Sequence, residues 1–407
     1  MAGLKDIIGF KKQVETLKYA LDTVNNPKKY VDFGTALPKG LLIYGESETG
    51  KTFMAESFLE ECERQVFVFE GGGDAEKEIK RLFKRAAKNA PSVIFFDDID
   101  RFKENDGYSE IFELIDKEIC CMERGKCFLV ATAESFKDAP HRLDSLDIIR
   151  TELEEPDYDD AVGLFKEFFK DKPMAEDFSV EDFCHFVADR TYNELRRVYN
   201  NAALTAVYEG SDTVTVTHLV KAELLSRDDD GELAEEFDES SAYHEAGHAA
   251  VHLLLGGEAA CMVLTCNNGG YFREKGIKEE NYEVLERRYV VGMAGKACEE
   301  IFKESCSIYC DTDLERTAKA VESDLKKLAS KGFEFFNGTE LNSPAYNDLL
   351  AKKVRCDLKN YYDRARELIE NNKPLITAFV DALRVKFYLL RSEIKKIYED
   401  YKSEYSD

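Results

Sequence analysis

One segment near the N-terminus constrains the fold more than any other part of the chain. A short apolar run, Leu41 to Tyr44, precedes a loop of the pattern Gly-x-x-x-x-Gly-Lys-Thr, and a helical stretch then continues to about Cys62. A strand, a loop of this pattern and a helix together form a phosphate-binding element. Further apolar strands alternate with helical stretches as far as Thr132. The sequence therefore predicts a doubly wound, mostly parallel sheet.

The glycine-containing loop predicts binding of ATP with Mg²⁺. Gly45 and Gly50 allow the backbone amides to face phosphate oxygens, and Lys51 would reach the outer phosphates. The Thr52 hydroxyl would hold Mg²⁺. The predicted loop residues are Gly45, Glu46, Ser47, Glu48, Thr49, Gly50, Lys51 and Thr52. Glu46 and Glu48 would weaken binding if their side chains faced the phosphates, and the sequence leaves their direction open.

Two aspartates at the end of a buried strand complete the predicted nucleotide site. Asp97 and Asp98 follow the apolar run Ser92 to Phe96. Asp97 would orient the Mg²⁺ shell. Asp98 stands where an active ATPase usually has a glutamate, so its carboxylate lies about 1 Å further back. A displacement of this size can cost around a hundredfold in rate, and we expect weak hydrolysis.

The organisation of the chain changes after Pro156. Strand signals stop there, and the remainder reads as mainly helical apart from a β-hairpin predicted near Cys261 to Arg273. The acidic run DDDGELAEEFD is poor in apolar residues and predicts a linker. We therefore divide the chain into an α/β nucleotide-binding region at 1–155, a helical lid at 156–227, a linker at 228–238 and a mainly helical domain at 239–407.

The clearest chemical signal is the run His244-Glu245-Ala246-Gly247-His248. Positions i and i+4 of a helix project within about 40° of each other, so two imidazoles at this spacing can bind one Zn²⁺. Glu245 is the predicted general base for hydrolysis. A catalytic zinc needs a third protein ligand. His252 lies two turns away from His244, and the better candidates are Glu299, Glu300, Asp311 and Asp313.

Composition excludes some classes of function and indicates the cellular compartment. A formal net charge of -25 over 407 residues repels phosphate backbones, so we expect no nucleic-acid partner. We expect no transmembrane segment, because the apolar runs are too short, and no signal peptide at Met1 to Lys12. The 11 cysteines include no CxxC pair, which favours reduced thiols. These features predict a cytoplasmic protein.

From about Leu4 to Tyr401 the chain resembles the FtsH family of AAA proteases, and four segments carry the resemblance. They are Leu4 to Gly9, Ala242 to Ala249, Leu285 to Ile301 and Tyr362 to Leu368. The resemblance implies an α/β P-loop AAA domain, a helical lid and a mainly α-helical zinc metallopeptidase domain. It also implies Zn²⁺ and ATP with Mg²⁺ as cofactors, polypeptide substrates and a hexameric ring.

The resemblance also selects among the candidate zinc ligands. The family's third ligand is an aspartate at the start of a helix, and Thr312-Asp313-Leu314 matches that position best. The resemblance therefore implies that His244, His248 and Asp313 hold the zinc. Asp311 is the less favoured alternative.

Departures from the family pattern concentrate in the ATPase half. The segment between Phe69 and Ala75 is short where the family has an aromatic pore loop. Ala133 stands where the family has a polar sensor asparagine, and Arg142 is the one counterpart of a pair of arginine fingers. We therefore expect ATP binding with weakened hydrolysis.

Three functions remain open from the sequence. The first is a zinc endopeptidase that cleaves unfolded or flexible polypeptides, with the AAA module as a nucleotide-responsive scaffold. The second is a fully ATP-dependent unfoldase and protease, in which Asp98 is the base and Arg142 the finger. The third is a non-catalytic adaptor that co-assembles with rings of an intact relative. The complete His244, Glu245 and His248 set favours the first, since a scaffold has no physical need for it.

Overall fold

The structure, a computed structural model, describes residues 3–71, 74–104, 108–145, 147–154, 158–187, 191–227, 231–266, 269–275, 281–307, 310–329, 331–337 and 343–405. Within these ranges the side chains of residues 103, 104, 138, 142, 144 and 159 lie outside the description. The first part of the chain contains α1 (Lys11–Asn25), α2 (Pro27–Asp32), β1 (Gly40–Gly45), α3 (Lys51–Glu60), β2 (Gln65–Val68), α4 (Ala75–Lys88), β3 (Ser92–Phe96), α5 (Tyr108–Cys121), β4 (Cys127–Ala133), β5 (Ile148–Leu153) and α6 (Tyr158–Phe169).

These strands form one parallel sheet in the order β2-β3-β4-β1-β5. The sheet is apolar on both faces, as expected when helices cover both sides. Leu41 and Ile43 of β1 pack with Phe58 of α3, whereas the intervening Leu42 packs with Ile79 of α4. The predicted doubly wound parallel sheet is confirmed.

The second part of the chain is mainly helical, as predicted. It contains α7 (Val180–Phe186), α8 (Tyr192–Tyr208), α9 (Val216–Leu225), α10 (Glu239–Leu254), β6 (Ala259–Thr265), β7 (Gly269–Glu274), α11 (Tyr282–Gly292), α12 (Ala294–Lys303), α13 (Cys310–Lys327), α14 (Pro344–Asn371), α15 (Lys373–Lys386), β8 (Tyr388–Leu390) and α16 (Arg391–Tyr405). The predicted hairpin is formed by β6 and β7, which pair antiparallel. The short strand β8 adds to the other side of β6.

The chain divides into two compact units. One comprises residues 1–170 with 190–196, and the other comprises residues 171–189 with 197–407. Helices α7 and α9, which the sequence assigned to the lid, therefore cluster with the C-terminal residues. The bounds of the four regions given above stay a prediction. Among the described helices, none has the length and apolar character needed to cross a membrane.

The segment predicted as an acidic linker is held against the second sheet over its described part. Residues 228–230 lie outside the described residues. Leu233 forms an antiparallel bridge with Thr265, and the Ala234 backbone N–H donates to Leu264 at 3.0 Å. The Asp238 side chain then accepts from the first amides of α10. The described end of this segment therefore sets where α10 begins.

Candidate active site

Helix α10 brings the two predicted histidine ligands together inside the second unit. His244 and His248 lie one turn apart, both are buried, and their Nε2 atoms are 3.0 Å apart. The helix can be buried because it packs closely on α12. A Cβ atom at Gly247 would lie 2.7 Å from Cys298 Cβ and 2.8 Å from the Ala294 carbonyl oxygen, so a larger residue would separate the two helices.

Asp313 joins the histidines from the first turn of α13. Its Oδ2 atom lies 2.9 Å from His244 Nε2 and 3.1 Å from His248 Nε2. Asp311, the alternative from the sequence, is exposed. Among the described residues, these three are one of two sets of side chains whose ligand atoms lie close enough to share a metal ion.

Hydrogen bonds behind the imidazoles fix which nitrogen faces Asp313. Nδ1 of His248 donates to the Val291 carbonyl at 2.7 Å, and Nδ1 of His244 donates to Glu299 Oε1 at 2.7 Å. Each Nε2 therefore presents a lone pair. When both imidazoles are neutral, two lone pairs and a carboxylate oxygen face one another, and a proton or a metal cation is needed among them.

The donor set and its spacing fit zinc. Zinc binds imidazole nitrogen and carboxylate oxygen at about 2.0–2.2 Å, so two ligand atoms of one ion lie at most about 4.4 Å apart. The separations of 2.9, 3.0 and 3.1 Å fall within that limit. Three protein ligands also leave a coordination position open, as catalytic zinc sites do.

The electrostatics of the site favour positive charge between these residues. Burial alone would lower the pKa of His244, but its hydrogen bonds, that to Asp313 foremost, raise it to about 12. Burial alone would raise the pKa of Asp313, yet bonds to both histidines hold it well below its usual range. A divalent cation would replace the proton that otherwise satisfies this cluster.

Glu299 supports His244 from behind, a role that the sequence did not reveal. Its carboxylate is completely buried and accepts from Ser240 Oγ at 2.9 Å and from the Ser307 backbone N–H at 2.6 Å. Burial opposes ionisation, but the bonds from His244 and Ser307 lower the pKa of Glu299 to about 2. Glu299 was a candidate ligand, and the structure places it on the other nitrogen of His244.

The other sequence candidates lie away from the histidine pair. Glu300 accepts from Lys296 and from the Tyr362 hydroxyl. His252 places Nε2 3.2 Å from the Glu258 carbonyl oxygen, so this nitrogen is directed at a backbone acceptor. Neither residue belongs to the sets of potential metal ligands found among the described residues.

The predicted base, Glu245, is buried between α10 and strand β7. Gly270 makes this possible, because a Cβ atom there would lie 3.1 Å from Glu245 Cγ and 2.5 Å from the Val263 carbonyl oxygen. The pKa of Glu245 is raised, because burial and the charge of Asp313 outweigh the opposing effects of the two neighbouring histidines and the Phe272 backbone N–H. A carboxylate in such a place is suited to accept a proton.

An open groove with a cavity volume of about 1010 Å³ gives access to these side chains. Strand β7 forms one side of the groove, and helices α10, α11 and α13 line most of the remainder. Lining residues include His244, Glu245, His248, Gly270, Phe272, Tyr289, Asp313 and Asp324. The groove is therefore large enough for a peptide segment beside the three converging ligand atoms.

The predicted phosphate loop in the first unit lies between β1 and α3. Gly45 has a φ of 153°, and a Cβ atom there would lie 2.2 Å from the Leu153 carbonyl oxygen. Lys51 is buried and donates to the carbonyl oxygens of Gly45 at 3.0 Å and Glu46 at 2.7 Å. Glu46, Ser47 and Glu48 have exposed side chains, and Thr49 and Gly50 complete the turn into α3.

The acidic pair beside this loop has two different environments. Asp97 Oδ1 accepts from Thr52 Oγ1 at 2.9 Å and from Thr132 Oγ1 at 2.7 Å, so it joins the loop to strand β4. Asp98 instead forms an ion pair with Arg101 at 2.9 Å. Ala133, which stands at the sensor position, is completely buried. Arg142 lies in a short 3-10 helix, His141–Asp144, and its side chain is outside the description.

Comparison with known proteins supports the resemblance. Residues 41–154 match the family described as ATPase family associated with various cellular activities (AAA). A Streptobacillus moniliformis relative named ATP-dependent zinc metalloprotease FtsH is 26% identical over 96% of this chain and 63% of the relative. Relatives of the same name from Caldicellulosiruptor bescii and Mycoplasma genitalium are 24% and 25% identical, over 97% and 98% of this chain and 72% and 63% of their own lengths.

The chain therefore contains an AAA domain and resembles FtsH proteins along nearly its whole length. It spans less than two thirds of the length of the first of these relatives.

Proposed function

We propose that this chain is a zinc-dependent endopeptidase that cleaves unfolded or flexible polypeptides. His244, His248 and Asp313 are the proposed zinc ligands, and Glu245 is the proposed base. The observation that carries the proposal is the convergence of two imidazole nitrogens and a carboxylate oxygen at 2.9–3.1 Å from one another. The relatives' printed name, which includes zinc and protease, agrees with it.

Each residue has a definite part in the proposed reaction. Bound zinc would supply a Lewis acid and lower the pKa of a coordinated water towards about 7. Glu245 takes up the proton of the attacking water on its carboxylate and returns it to the leaving amine. Glu299 and the Val291 carbonyl keep both imidazoles turned with Nε2 towards the ligand position.

Strand β7 is the proposed contact for the substrate backbone. Among the described strands it pairs with β6 alone, and its residues Gly269 to Phe272 line the groove. An edge strand offers backbone donors and acceptors to an extended peptide whatever the peptide's side chains are. This geometry favours extended polypeptide segments over folded ones.

We propose that the AAA module binds ATP with Mg²⁺ and hydrolyses it slowly. Thr52 and Asp97 are bonded to each other beside the phosphate loop, which supports a shared part in holding Mg²⁺. Asp98, by contrast, is paired with Arg101, and this pairing competes with any role in orienting water. The proposed boundaries of the ATPase, lid and peptidase parts are those predicted from the sequence, and the family resemblance supports a ring of several copies.

Metal analysis combined with a peptidase assay tests this function. Wild type and Glu245→Gln should both retain one zinc per chain, and the variant should lose cleavage of an unfolded substrate by a factor of about 100 or more. Unchanged cleavage in the variant would remove Glu245 from the mechanism. Absence of both zinc and cleavage in the wild type would favour the adaptor role. ATP turnover stimulated by unfolded substrate would favour the fully ATP-dependent protease.

A further inference from the structure

Strand β7 contacts a different helix on each of its two faces. One of these helices, α10, carries the proposed base Glu245. On the side of α10, Glu245 Cγ would lie 3.1 Å from a Cβ atom at Gly270. The Phe272 ring packs against His252 of the same helix, with ring centroids 5.4 Å apart. The position of Glu245 therefore depends on the position of this edge strand.

Helix α7 contacts the same sheet through different residues. Every residue of β6 is buried, although only alternate side chains, such as Met262 and Leu264, join the core around α10. Successive side chains of a strand point to opposite faces, so another element must cover the second face. Helix α7 packs on β6 and β8 and buries Phe183 and Phe186 completely.

Arg273 connects this helix to strand β7. It is the residue between Phe272 and Glu274, so its side chain points away from α10. Its Nη1 atom donates to the Phe186 carbonyl oxygen at 2.9 Å, and its guanidinium lies 5.4 Å from the centroid of the Tyr271 ring. Phe186 is the last residue of α7, where helix carbonyls lack helical partners and favour a cation.

Helix α7 is itself a fixed support. Buried Asp182 accepts from the Ser392 backbone N–H at 3.1 Å and from Ser392 Oγ at 2.5 Å. These bonds anchor α7 to the first turn of α16. The Arg273 bond therefore joins β7 to an element that packing and hydrogen bonds already hold in place.

We propose that Arg273 is a positioning residue for peptide cleavage: it fixes edge strand β7 to helix α7, and the strand in turn fixes Glu245 beside the metal ligands. The inference rests on the proposed peptidase function and adds a support to its base. Arg273 has no part in zinc binding. A shift of the strand by about 1 Å would misplace the base and can cost about a hundredfold in rate.

Three variants of the full-length, zinc-loaded protein test the inference. Arg273→Met removes the donor and keeps the side-chain length, so kcat for an unfolded peptide should fall about tenfold to a hundredfold. Arg273→Lys can still donate one hydrogen bond to the Phe186 carbonyl and should recover much of that loss. Lys275→Met is the matched control. Lys275 directly follows the strand but pairs with Glu258 at 3.1 Å, so its loss should leave kcat near the wild-type value.

Amide hydrogen exchange of residues 269–275 provides a readout that does not depend on activity. Exchange there should be faster in Arg273→Met than in Lys275→Met or wild type, with zinc content and the thermal unfolding midpoint unchanged. Wild-type kcat and wild-type exchange in Arg273→Met would overturn the inference. A wild-type protein that binds zinc but cleaves nothing would instead overturn the proposed function, and the exchange data would still decide whether Arg273 holds the strand.

Discussion

Glu299 is the residue that most affects how well His244 can serve as a ligand. It accepts the Nδ1–H of His244 at 2.7 Å and is completely buried, so its charge acts on the imidazole without screening by water. A carboxylate behind a metal-bound histidine makes the imidazole more basic and fixes its orientation. At the proposed zinc site, Glu299 should therefore contribute to metal affinity without being a ligand.

Glu299→Gln should weaken zinc binding by about tenfold to a hundredfold, because the amide removes the charge and one of its two ends can only donate. Competition with a chromogenic chelator measures the change. Glu300→Gln, the neighbouring residue on α12 that bonds to Lys296 and Tyr362, is the control and should leave zinc affinity at the wild-type value. Equal affinities in all three proteins would contradict the proposed role.

Some residues of this site could be predicted from the sequence, and others could not. The spacing of His244 and His248 predicted their proximity, because helix geometry alone brings them together. Asp313 lies 65 residues after His248, and only the family resemblance selected it over Asp311. The role of Glu299 depends on the packing of α10 against α12, which no local pattern encodes. Nor could the sequence predict that the side chains of Glu46 and Glu48 are exposed, because this depends on how the loop folds.

At the scale of single elements, helices and strands with a regular apolar pattern could be predicted from the sequence, whereas very short elements could not. Alternating strands and helices predicted the parallel sheet, and the hairpin of β6 and β7 was predicted from its apolar runs and glycines. Strand β8 has only three residues and follows Phe387, which has a positive φ of 63°. Its pairing with β6 is a tertiary contact, so no local pattern indicated the break between α15 and α16.

Because α7 carries the buried His185, we expect the stability of the folded protein to depend on pH. Burial, with Arg391 and Lys275 nearby, lowers the pKa of His185 to about 4, against the opposing effects of Asp182 and Glu258. An unfolded histidine has a pKa of about 6.5, so between these values the unfolded chain binds a proton that the folded protein does not. The free energy of unfolding should therefore fall as pH decreases from 7 to about 4.

Urea unfolding at several pH values measures this contribution. His185→Gln should show a smaller loss of stability between pH 7 and pH 5 than the wild type. His141→Gln, which replaces an exposed histidine, serves as the control and should keep the wild-type slope. A His185 variant with the same slope as the wild type would show that other groups cause the pH dependence.

At the scale of the whole molecule, net charge affects which polypeptides reach the groove. A formal charge of -25 attracts cationic chains and repels anionic ones, and added salt screens both effects. For the proposed peptidase, kcat/KM should be higher for a lysine-rich unfolded peptide than for a glutamate-rich one of equal length. The ratio of the two values should approach one as salt is raised. A ratio that does not change with salt would mean that local contacts set the preference.

The location of a bound metal tests the central claim most directly. Anomalous diffraction at the zinc edge, from crystals of the zinc-loaded protein, should show one peak about 2.0–2.2 Å from His244 Nε2, His248 Nε2 and a carboxylate oxygen of Asp313. The second potential ligand set among the described residues, His244 with Glu299 and Cys310, lies on the opposite side of the same imidazole. A peak there, or none near either histidine, would contradict the assignment of this groove as a zinc peptidase site.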